Sequence, residues 1–165
     1  ILRCADSATF LGLTPRISKA SDPQSERQEL VTRFFVYADH YLEFSHDVQK
    51  FLDQHLIQGN EGLTPHDLGR MEGEFERTMT FIARWFPHGF YRTSKANILP
   101  RVRFEAVAVG TCLALRENEG LVARNAESWL WGEDISRLVR TDASNSGPRL
   151  RARIGFVRDM LLGGE

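Results

Sequence analysis

Apolar residues recur at helical spacing along most of the chain. Between Gln24 and Leu42 they fall at Leu30, Val31, Phe34, Phe35, Ala38, Tyr41 and Leu42. That is the i, i+1, i+4, i+5 stripe of a helix with one face on a core. Ser25, followed by Gln28, is the predicted N-cap. Ser45 is predicted to cap a second helix, with Val48, Phe51, Leu52 and Leu56 inward and a stop at Gly59-Asn60. Thr64-Pro65 opens the third, with Asp67 in its first turn and a stripe from Leu68 through Met71, Phe75, Met79 and Ile82 to Trp85 and Phe86. Pro87-His88-Gly89 ends it, and the loop 90–99 leads to Pro100. One helix is predicted over Asn125–Arg140, with Trp129, Leu130, Ile135, Leu138 and Val139 inward. After the polar loop 141–148, Leu150, Ile154, Val157 and Leu161 stripe a last helix that stops at Gly163-Gly164.

The stretch 101-RVRFEAVAVGTCLALRE-117 is the most apolar part of the chain. A helix apolar around most of its circumference belongs inside a domain, yet this one carries Glu105 in its first half. Arg33 stands equally alone among Leu30, Val31, Phe34 and Phe35. An unpaired buried charge costs several kcal/mol by desolvation. Arg33 and Glu105 are therefore expected to pair across two helices, unless each lies on a narrow polar face.

No window alternates at strand period and no repeat is evident. The prediction is an all-α fold: one compact bundle of about six helices over residues 24–165, after an irregular segment 1–23 with at most a turn near Ala8–Leu13. The 165 residues suit one domain. No signal peptide or membrane span is visible, so a cytoplasmic setting with reduced Cys4 and Cys112 is the default. The chain opens on Ile1, which reads as a piece of something longer.

Charge is segregated. Residues 22–76 hold twelve acids and four bases, whereas 135–158 holds six arginines and one acid. Arg101, Arg103, Arg149, Arg151 and Arg153 are the candidate nucleic-acid or anion contacts, the last three beside the start of the final helix. A solvated face explains the same residues, and no aromatic residues interleave them as in a nucleic-acid platform.

Catalytic signatures are missing: no phosphate-binding glycine loop, no nucleophile elbow, no HxxxH and no paired CxxC. Neither a catalytic residue nor a cofactor is assigned. His40 and Glu43 share one helix face, but no third metal ligand is apparent, so no metal site is assigned either. Glu72, Glu74 and Glu76 point in different directions on a helix and do not make a carboxylate pair.

Four segments, in order, bear a family resemblance. 29-ELVTRFFVYADHYLEFSHDVQKFLDQHL-56 resembles the ELVLRFFA…Y…Y…S.KKFLN..M segment of the GmrSD-type restriction family. 75-FERTMTFIARWFPHGFYR-92, 103-RFEAVAVG-110 and 137-RLVRTDASNSGPRLRARIGFV-157 are similar to its F..AL..I...FG..AFR, LFEALMVG and TSS……RI..V segments. The matching positions are Arg33, Phe34, Phe35, Phe51, Leu52, Phe104, Glu105, Arg153 and Ile154. In that family, activity belongs to a ParB-like domain with an Asp-Gly-Gln-Gln-Arg-type motif and often to an HNH-type nuclease domain. Neither is in this sequence. The resemblance thus implies a helical region that scaffolds or regulates a neighbouring ParB-like domain in a restriction or anti-phage defence protein, with DNA contact or self-association as further expectations. Two other readings stand beside it: a stand-alone DNA-binding module using the arginines, and a nuclease or nucleotide hydrolase with an unrecognised site.

Overall fold

The computed structural model describes residues 1–17, 22–91, 98–140 and 146–163. Most of the predicted 90–99 and 141–148 loops, and Gly164 of the final stop, lie outside the described residues.

Among the described residues there are nine helices and no strand. They are α1 (Leu2–Ala5), α2 (Ala8–Leu13), α3 (Pro23–His40), α4 (Val48–Gly62), α5 (Pro65–Trp85), α6, α7 (Ala126–Leu130), α8 (Glu133–Leu138) and α9 (Gly147–Leu161). Helix α6 comprises Arg101–Phe104, a π turn over Glu105–Val109, and Gly110–Glu117, run end to end. All-α is correct; the count of about six is too low. Segment 1–23, expected to be irregular, contributes α1 and α2 and seats Cys4, Ala5, Phe10, Leu13 and Ile17 in the core. The helix predicted over 125–140 is two short ones, interrupted at Trp131-Gly132, where Gly132 takes extended backbone angles.

Helix α6 is the axis of the molecule. Residues 102–112 are all buried, as a helix this apolar requires. Helices α3, α5 and α9 pack around it, α4 covers α3, and α7 and α8 sit against α9. At the centre Phe10, Phe34, Phe75, Phe90 and Phe104 meet edge-on or tilted, with ring centroids 5.1–6.0 Å apart. Two glycines permit close approach. A Cβ on Gly110 would lie 2.8 Å from the Ile154 carbonyl oxygen on α9. One on Gly147 would collide with the Phe44 carbonyl oxygen, so the start of α9 sits directly on the α3–α4 connection.

Capping depends on side-chain chemistry more closely than the sequence pattern predicts. Thr64 accepts from the Asp67 amide and Asp67 accepts from the Thr64 amide, a reciprocal cap. At α3 the cap is Asp22 rather than Ser25, because Pro23 takes the first helical position. At α4 it is Asp47 rather than Ser45, and the helix continues through Gly59-Asn60 to Gly62. No helix is long and apolar enough to cross a membrane among the described residues.

Candidate functional site

Arg33 and Glu105 meet. Arg33 Nη1 donates to Glu105 Oε1 at 2.6 Å, and Arg153 Nη2 of α9 donates to Glu105 Oε2 at 2.5 Å. Glu105 is 2 % exposed, Arg153 3 % and Arg33 11 %. Arg33 also donates through Nε and Nη2 to Glu29 Oε1, at 2.9 and 2.7 Å. Glu29 reaches Arg101, 2.9 Å away, and Arg101 grips Glu26 through Nε and Nη2 at 2.8 and 2.9 Å. The result is an alternating chain, Glu26–Arg101–Glu29–Arg33–Glu105–Arg153, running from the surface to the core and neutral overall. Burial works against the Arg33 cation, but Glu105 and Glu29 outweigh it and its pKa is raised.

The five candidate arginines play separate parts. Arg153 is spent on Glu105. Arg103 is buried: Nε donates to the Phe90 carbonyl at 2.8 Å and Nη2 to the Leu130 carbonyl at 2.9 Å, and its guanidinium lies 4.0 Å from the Trp131 ring centroid. It ties the chain after α5 to the end of α7. Arg151 is half-buried and donates to the Leu42 and Phe44 carbonyls, both at 3.3 Å. Arg101 is 45 % exposed and committed to Glu26 and Glu29. Arg149 is exposed. The start of α9 does not present all its amides to an anion either, since the Gly147 amide donates to the Ser45 carbonyl at 2.6 Å. The arrangement stitches segments of the chain together.

A second polar junction was not singled out from the sequence. Arg116, near the end of α6, donates to Glu74 of α5 at 2.6 and 2.8 Å, to the Ala38 carbonyl of α3 at 2.8 Å and to Asp39 at 2.7 Å. Burial would raise the Glu74 carboxyl; the hydrogen bonds and charge of Arg116 outweigh it and hold it below the usual range. Glu72, by contrast, pairs with Arg3 at 2.7 Å, so the alternating acids do point to different partners. Burial pushes the Cys112 thiol up to about 12 and the Cys4 thiol up to about 11, which removes both as nucleophiles near neutral pH.

The sequence left His40 and Glu43 without a third metal ligand. The fold supplies one, because α4 runs back along α3 and brings His55 to them. One donor atom from each of the three side chains lies within 4.8 Å of the others. His40 Nδ1 is 3.0 Å from Glu43 Oε1. The two imidazoles stack, with centroids 4.0 Å apart and planes 18° from parallel, and the Phe51 ring stands edge-on to His55 at 4.5 Å. Burial and then the charge of His40 hold the His55 pKa below the ordinary 6.5. His40 and His55 also border a groove of 630 Å³ between α1, α3, α4 and α5, whose apolar walls include Leu2, Phe35, Leu56, Leu63 and Met71.

Comparison of the chain with protein-family models, with curated proteins and with solved structures finds no match to any of them.

Proposed function

We propose that this chain is a non-catalytic helical domain that scaffolds or regulates a ParB-like domain in a GmrSD-like restriction or anti-phage defence protein. One observation supports the reading most. Three charged residues of the resemblance, Arg33, Glu105 and Arg153, come from segments up to 120 positions apart and meet in the core, where the two arginines share the Glu105 carboxylate. Phe34, Leu52, Phe104 and Ile154, four of the apolar positions in the same resemblance, are buried as well. Residues that match a family for structural reasons belong in such a place, and a reactive centre does not. Arg33 and Arg153 neutralise Glu105 and bury it, leaving it no access to substrate.

The reading is tested in the gene and in the test tube. The coding DNA on either side of residues 1–165, or the adjacent gene, should encode a ParB-like segment with an Asp-Gly-Gln-Gln-Arg-type motif. That segment, co-expressed with this chain, should co-purify with it. Neither nucleotide hydrolysis nor DNA cleavage should accompany the purified chain alone. Absence of a ParB-like segment, or turnover by the isolated chain that survives repeated purification, refutes the proposal.

A further inference from the structure

The cluster formed by His40, Glu43 and His55 is separate from the Glu105 network, and nothing in the proposed scaffold role uses it. We propose that His40, Glu43 and His55 form a binding site for a divalent transition metal of the zinc class. Two imidazoles and one carboxylate are a donor set that zinc accepts, with a fourth position left to water or another ligand. Imidazole nitrogen also selects against magnesium and calcium, which prefer all-oxygen surroundings.

Geometry carries the argument. Zinc holds nitrogen and oxygen donors at about 2.0–2.2 Å, so two donors on one tetrahedral ion stand about 3.3–3.6 Å apart. The three donors already lie within 4.8 Å of one another. Closing the remaining gap falls to the side chains of His40 and Glu43, which are 40 % and 62 % exposed. His55 is the fixed member, half-buried and backed by Phe51. The two rings already lie side by side, with centroids 4.0 Å apart. His40 is the last residue of α3, where the helix dipole favours a nearby cation. Among the described residues, no other group of three or more His, Cys, Asp or Glu brings its donors together in this way.

An ion there joins the end of α3 to the middle of α4, so its binding has a readout independent of any activity. The experiment titrates Zn²⁺ into the chelator-stripped chain by calorimetry, repeats it with Co²⁺ to record visible ligand-field bands, and follows thermal melting with and without Zn²⁺. One equivalent should bind, the Co²⁺ spectrum should be that of a four-coordinate nitrogen–oxygen site, and Zn²⁺ should raise the melting temperature. His55→Ala and His40→Ala should each weaken binding by at least about tenfold and abolish the melting shift. His66→Ala, a control at an exposed histidine outside the cluster, should leave both unchanged. His40 is the last residue of α3 rather than a residue in the middle of α4, so His40→Ala decides the matter if His55→Ala disturbs α4. Absence of binding to the wild-type chain, or full affinity in His40→Ala, overturns the site.

Discussion

At the residue scale, Glu105 is the position on which most depends. Desolvating a carboxylate deep in a core is costly, and it is recovered only because two guanidinium groups approach it from different helices. Replacing an entire buried ion cluster with apolar groups can be neutral, whereas removing one member strands the others. Glu105→Ala leaves Arg33 and Arg153 facing each other across a cavity. It should cost about 3–5 kcal/mol in urea unfolding, with Glu105→Gln intermediate because the amide oxygen still accepts. A loss below about 1 kcal/mol, the scale of an exposed ion pair, would show that the network contributes little. Arg116 and Glu74 give a pH-dependent counterpart. The Glu74 carboxyl lies below its ordinary 4.5 in the folded chain, so its contribution is fully present above 4.5 and fades as pH falls through the lowered value. Acid unfolding followed by circular dichroism should therefore begin at a higher pH in Arg116→Ala than in wild type. Coincident acid transitions would remove Arg116 as the cause.

At the element scale, α6 is decided by its crossing with α9. Gly110 lets the two helices approach so closely that a methyl group would meet Val157 and the Ile154 carbonyl. Backbone cannot yield as a side-chain tip can, so Gly110→Ala should destabilise by about 1–3 kcal/mol, even though alanine is the better helix former by about 1 kcal/mol. Stabilisation by the substitution would mean the crossing is looser than described. The π turn just before Gly110 adds one residue to the helix, which rotates the downstream half, Gly110–Glu117, by about 100° relative to a regular helix. A helical wheel drawn for 101–117 therefore misplaces one half against the other. The apolar run marked this helix as buried, but its facing residues became clear only from its neighbours. The break at Trp131-Gly132 has a related origin. Periodicity at 125–140 is continuous enough for one helix, but the Leu130 carbonyl is taken by Arg103 and the Trp131 ring lies against the same guanidinium.

At the scale of the whole molecule, the two thiols report on the fold. Cys4 sits in the N-terminal segment and Cys112 in the central helix, both buried and both raised in pKa by that burial. A thiol reagent at pH 8 should modify neither in the native chain and both after denaturation. Fast reaction of Cys4 alone would mean that α1 and α2 are not docked as described. The sequence by itself determined the all-α class, the burial of the apolar run that begins at Val102 and the cap at Thr64 with Asp67 in the first turn. Each of these depends on residues close together in the chain: periodicity, composition and caps are local. An isolated buried charge is too costly, so Arg33 and Glu105 either pair with each other or keep to a narrow polar face, and the sequence leaves both open. Only the tertiary structure decided that Arg153 shares the same carboxylate, that Arg103 is buried against two carbonyls and that His55 completes a set with His40 and Glu43. Those outcomes depend on which helices cross and at what distance. Spacing along the chain does not encode a third ligand that arrives from the next helix, or tell an arginine facing water from one closing over the core.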